Sequence, residues 1–145
     1  MTPGETYSFT VTARNAVGHS IQSVSLAVLA AKLPDAPLSL TNEADVTTGY
    51  QVGLSWSNGA YDGGSPEIDY QVSYCDDASD TYSVFASGIT TLSSTVNGLT
   101  PGVTYKFVVQ SRNIVDISPY SLPISVLAAQ EPDAPTDLAN DASNT

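Results

Sequence analysis

Apolar and polar residues alternate with a period of two through residues 37–131, and turn-forming residues interrupt the alternation about every 8–12 positions. No stretch sustains a 3.6-residue period, so the pattern predicts an all-β sandwich and seven strands rather than a helical core. Over 50–56, Val52, Leu54 and Trp56 fall on one face; over 68–74, Tyr70, Val72 and Tyr74 do the same. Between these strands AYDGGSPE supplies a Gly-Gly-Ser-Pro turn, flexible first and then stiff.

The strongest local pattern is the run 99–113, LTPGVTYKFVVQSRN, in which Tyr105, Phe107 and Val109 share parity behind a Pro101, Gly102 corner. This run resembles the fibronectin type III pattern L-x-P-x-x-x-Y-x-F-x-V-x-x-x-N. With Pro37, Leu40, Trp56 and Tyr70 the likeness covers one whole module. The resemblance implies a seven-stranded immunoglobulin-like β-sandwich. In it Tyr105 is the tyrosine corner, its ring in the core and its hydroxyl on a backbone group a few residues upstream. The implied core is Leu54, Trp56, Tyr70, Val72, Leu99, Tyr105, Phe107 and Val109. After Asn113 the stretch IVDISPY departs from the family pattern, lacking its common glycines.

A 98-residue echo organises the chain. Residues 2–44 align without a gap on residues 100–142, with 23 identities in 43 positions. The repeated block crosses the element PDAP at 34–37 and again at 132–135, whose prolines withhold amide donors and stiffen an extended connector. The expected division is therefore tandem: 1–33 as the last two strands of a preceding fibronectin type III-like module, 34–132 as a complete module, and 133–145 as a linker and first strand of a following one. A free two-stranded piece at 1–33 would expose Tyr7, Phe9 and Val11, and so needs something to pair with.

Charge narrows the partners. Arg14, Lys32, Lys106 and Arg112 stand against fifteen acidic residues, for a formal net charge of −11. Nucleic acid and anionic membrane surfaces are bound through clusters of basic side chains that this sequence lacks. No apolar run approaches the length of a membrane span, and MTPGETYSFT has neither the basic nor the apolar region of a signal peptide. Cys75 is the single cysteine, so no intrachain disulfide and no cysteine cage for a metal can form.

The candidate chemistry is sparse. His19, the only histidine, falls in a loop of the incomplete first segment and is read as a surface residue. Cys75 has parity opposite to Tyr70, Val72 and Tyr74, which predicts a partly covered neutral thiol on the outer face. Tyr61, Asp62, Asp116 and Tyr120 are the binding candidates: they sit on the two loops 57–67 and 114–120, and loop tyrosines give contact area at low entropic cost. Tyr61 and Tyr120 are expected near one pole of the sandwich. Asp35, Asp62 and Asp116 are weak calcium candidates converging there, although no Asp-x-Asp-x-Asp-Gly loop is present and solvated acids are the favoured reading. Asp76, Asp77 and Asp80 form a second acidic stretch. Neither Arg-Gly-Asp nor an Asn-x-Ser/Thr sequon occurs.

These features predict no enzyme and no cofactor. They point to a structural or adhesive repeat that spaces other domains or builds a filament, its partners being neighbouring modules or other copies of itself. A protein- or glycan-binding module using the two loops is the alternative, and an accessory array in a larger enzyme a third. The expected setting is extracellular or cell-surface, with an intracellular cytoskeletal or ciliary array as the rival.

Overall fold

The computed structural model describes residues 1–143, and every regular element among them is a β-strand. In chain order these are β1 (Thr6–Phe9), β2 (Leu26–Leu29), β3 (Leu38–Glu43), β4 (Gln51–Ser57), β5 (Asp69–Asp76), β6 (Ser83–Ile89), β7 (Ser93–Asn97), β8 (Thr104–Arg112) and β9 (Ile124–Leu127). No helix among the described residues is long and apolar enough to cross a membrane.

The seven strands β3 to β9 make the sandwich that the alternation predicts. One sheet has the order β3-β4-β7 and the other β6-β5-β8-β9, every pairing antiparallel. β4 buries Val52, Leu54 and Trp56 as its parity requires, and these meet Tyr70 and Val72 of β5 and Phe107 and Val109 of β8. Leu99 and Tyr105 are buried in the same cluster, with Leu40, Val96 and Val126. Trp56 packs edge-on to Tyr70 at 5.7 Å between ring centroids, and Tyr74 lies edge-on to Tyr105 at 5.8 Å and stacked on Phe107 at 6.2 Å. The Tyr105 hydroxyl accepts from the Thr100 amide at 3.1 Å, which ties the corner to the strand it leads into.

β5 and β8 are central in the four-stranded sheet and bury both faces, so their alternation is blunted: Ser73, Val108, Gln110 and Ser111 are buried beside the core residues. Cys75 corrects the sequence expectation. It does face away from the core, yet it is only 7% exposed rather than partly covered. Its thiol donates to the Ser79 carbonyl at 3.1 Å, and it lies close to Tyr82, whose ring meets Tyr120 at 5.3 Å. Strand parity assigns a face; it does not reveal which loop side chains fold over that face.

β1 and β2 form a separate two-stranded hairpin in the register Thr6 to Leu29 and Phe9 to Leu26. Its apolar side chains Phe9, Val11, Leu26 and Val28 are exposed, because two strands alone have no second sheet to cover them. Beyond β9 no strand forms among the described residues of the 133–145 segment, and 144 and 145 lie outside the described residues. One trace of order is nevertheless repeated there. Among the described residues the two non-glycine positions with positive φ, Ser39 at 54° and Asp137 at 58°, are one repeat apart; at Ser39 this turn accompanies the register shift between Leu38 and Thr41 in β3.

Candidate functional site

The segment 32–37 does not hang free between the hairpin and the sandwich. Pro34 and Pro37 are fully buried. Proline is suited to this path because it has no amide to satisfy and its ring packs as an apolar group. The Asp35 amide donates to the Tyr61 carbonyl at 2.8 Å, and the Ser111 hydroxyl to the Asp35 carbonyl at 3.3 Å. Three residues upstream of Asp35, the Lys32 amide donates to the Gly63 carbonyl at 2.9 Å.

Asn113 closes this junction. It is 3% exposed, and its carboxamide uses both ends. Nδ2 donates to the Lys32 carbonyl at 2.7 Å and to the Asp62 carbonyl at 2.8 Å; Oδ1 accepts from the amides of Val115 at 2.9 Å and Asp116 at 3.3 Å. Two carbonyls on one side and two amides on the other leave a single sensible orientation of the amide group. One side chain thereby joins the incoming segment, the 58–65 turn and the 113–118 loop.

Gly63 and Gly64 make room for that closure. Both have positive φ, 81° and 86°. A Cβ on Gly63 would stand 2.2 Å from the Lys32 carbonyl oxygen, and one on Gly64 would stand 2.3 Å from the Gly4 amide nitrogen, in the turn that opens the hairpin. Only glycine permits backbone to meet backbone at this distance. The Asp62 carboxylate shapes the same turn by accepting from the Gly64 amide at 2.8 Å.

Among the predicted binding residues, Tyr61 lies under the Lys32 ammonium, 5.1 Å from its ring centroid, and Tyr120 is paired with Tyr82. Asp62 and Asp116 do meet at Asn113, but through main-chain groups. Their carboxylates turn to the Gly64 and Ile117 amides respectively. Asp35 likewise takes part through its backbone. No three His, Cys, Asp or Glu side chains come together to hold a metal ion among the described residues. For two of these aspartates the reason is local: the Asp62 and Asp116 carboxylates are each within reach of a neighbouring amide, and a turn satisfies them there.

Below the junction, Asp69 and Arg112 face each other in register across β5 and β8. Arg112 Nε donates to Asp69 Oδ1 at 2.9 Å, and its Nη2 contacts Oδ2. Hydrogen bonding from the guanidinium holds the Asp69 carboxyl below the ordinary aspartate range despite its burial. Sequence reasoning did not single out this pair or Lys32 as a contact, and it read Gly63 and Gly64 only as part of a flexible turn. The available signals were the Gly-Gly dipeptide and the asparagine repeated at 15 and 113.

What this arrangement does chemically is fix one chain segment against two loops through amides and carbonyls. Comparison with known proteins fits such a module. The model of the fibronectin type III domain matches residues 35–127. Among solved structures, domains A168-A170 of titin match with a TM-score of 0.70 at 24% identity, over 83% of this chain and 40% of that one. Titin kinase with its flanking domains matches at 0.62 and 27% identity, over 68% and 18%. The twitchin kinase region from C. elegans matches at 0.63 and 24% identity, over 72% and 18%. The chain thus spans well under half the length of these structures. A family match over more than half of the residues, on a three-plus-four sandwich with the tyrosine corner in place, makes this chain a member of the fibronectin type III family.

Proposed function

We propose that the chain is a non-catalytic structural or adhesive repeat, a stiff spacer in a longer string of fibronectin type III modules. In this reading 1–33 supplies the last two strands of a preceding module, 34–132 is one complete module, and 133–145 leads into a following one. Its partners are then neighbouring modules or other copies of the same chain. The observation that carries the reading is the docked junction, where the Asn113 carboxamide and the Gly63, Gly64 turn grip the segment entering from the hairpin. A freely jointed connector would need none of these contacts.

The rival binding reading relies on loops 57–67 and 114–120 as a recognition surface. Loop 57–67 already spends hydrogen bonds on the linker, which weighs against its being free to adapt to a ligand. An accessory array in a larger enzyme is compatible with the kinase regions named among the similar structures, and belongs to the same spacer class. The domain family occurs in extracellular and intracellular proteins alike; we favour a cell-surface or extracellular setting, with an intracellular array as the rival.

The test is the mass of the native polypeptide together with electron microscopy of the purified protein. A polypeptide of several such units forming elongated particles or filaments is the expected result. A native chain ending at residue 145, monomeric and compact, would sink the proposal.

A further inference from the structure

The hairpin at the start of the chain and the last two strands of the sandwich repeat each other bond for bond, 98 residues apart. The Gly4 amide donates to the Ala30 carbonyl at 2.7 Å, and the Gly102 amide to the Ala128 carbonyl at 2.9 Å. The Thr2 amide meets the Tyr7 hydroxyl at 2.8 Å, and Thr100 meets Tyr105 at 3.1 Å. Gly4 and Gly102 share positive φ, 89° and 80°. Their surroundings differ. The position of a Cβ on Gly4 lies 3.6 Å from the Gly64 Cα, so this turn is packed on the Gly-Gly turn of the sandwich; the same position on Gly102 has nothing within 4 Å. Gln130, the counterpart of Lys32, and Pro132, the counterpart of Pro34, are exposed where the earlier pair is engaged or buried.

We infer that the pole formed by Thr100, Pro101, Gly102, Ala129 and Gln130 is a docking surface for the Gly-Gly turn of a second module of this same type. The inference rests on the tandem reading and adds its joint. The Gln130 amide would donate to the carbonyl of the partner's first turn glycine, and the partner's counterpart of Asn113 would donate to the Gln130 carbonyl. The occupant is specified by shape. A side chain on the partner's first glycine would strike the Gln130 carbonyl as one on Gly63 would strike that of Lys32, at 2.2 Å, so only modules with glycine there can seat. The tail already carries the matching bend, since Asp137 repeats the positive φ of Ser39. One contact is not repeated: Gln130 has no charge to place over the partner's Tyr61, so this second joint should be less sensitive to salt than the first.

The experiment is a chain in which residues 1–132 run directly into residues 35–145 of a second copy, which keeps the repeat register across the joint. Nitrogen-15 relaxation reads whether the two sandwiches tumble together, and amide exchange reads Gln130. The expected result is common tumbling and a Gln130 amide protected about tenfold more than in the 145-residue chain. Gly63→Val in the second copy alone should abolish both. Because that variant could also unfold its own module, Gln130→Pro serves as the second: it removes the donor from an exposed linker position outside either core, and should release common tumbling while both modules stay folded. Independent tumbling of two folded modules in the unmodified double chain, or common tumbling unchanged by Gln130→Pro, overturns the docking surface. Either outcome leaves the tandem reading standing, since that is decided by the mass of the native polypeptide.

Discussion

Replacing Asn113 by alanine tests the junction most directly. The substitution removes four hydrogen bonds, two to the carbonyls of Lys32 and Asp62 and two from the amides of Val115 and Asp116. At about 0.5–1.5 kcal/mol net for each bond the sum is large, but Lys32 and the loop are open enough for water to recover part of it. We therefore expect a loss of about 2–3 kcal/mol. For a domain of this size that lowers the urea midpoint by about 1–2 M. Trp56 is the only tryptophan and lies in the core, so its fluorescence follows the module itself. Amide exchange at Lys32, which donates to Gly63, should accelerate as the segment loosens. Asn113→Asp separates the two halves of the interaction. It keeps an oxygen for the Val115 and Asp116 amides but turns a carboxylate oxygen toward two carbonyls, and near neutral pH it should be at least as destabilised as the alanine variant. An Asn113→Ala midpoint indistinguishable from the parent, or an aspartate variant close to it, would show that the carboxamide is not what closes the junction.

Three further outcomes follow from the same structure. Tyr105→Phe keeps the ring but removes the acceptor of the Thr100 amide, and should cost about 1–2 kcal/mol by urea unfolding; no change would mean water takes over the amide unaided. Asp69 has a folded pKa lowered from its ordinary 3.8 by Arg112, so its pairing contributes stability above that value, lost as pH falls through the lower folded one. Thermal unfolding across pH 2–5 (about the range in which carboxylates titrate) should therefore show a flatter acid limb in Asp69→Asn than in the parent, and equal slopes would refute the assignment. Burial pushes the Cys75 thiol up, with the Lys106 charge opposing, so the native protein should react with a thiol reagent at neutral pH about a hundredfold more slowly than the urea-unfolded chain. Rapid reaction of the folded protein would place Cys75 on an open face instead.

The strand pattern was legible because a sheet records its faces in sequence. Val52, Leu54 and Trp56, or Tyr105, Phe107 and Val109, can share a face only if the backbone is extended, and their burial follows from burying that face. The corner at Pro101 and Gly102 was legible for a similar reason, since the turn needs the positive φ that Gly102 supplies at 80°. The echo at 98 residues was a property of the sequence alone, and it marked the two PDAP segments without describing how either one packs.

The contacts of the loop side chains were not legible. Tyr61 lies under Lys32 and Tyr120 against Tyr82. The Asp62 and Asp116 carboxylates are satisfied by adjacent amides. Cys75 was placed on the correct face and given too much solvent, because what covers a face arrives from loops distant in sequence.

The sequence by itself determined the sandwich, its core and the period of the chain, all of which depend on which residues neighbour one another within an extended strand or repeat unit. Only the tertiary structure decided that the PDAP segment at 34–37 is packed down rather than free, that Gly63 and Gly64 are there for backbone to touch backbone, and that Asn113 joins three segments. Lys32 and Asn113 are 81 positions apart, and a hydrogen bond between them leaves no periodic trace; it exists only once folding has brought two carbonyls within reach of one amide group.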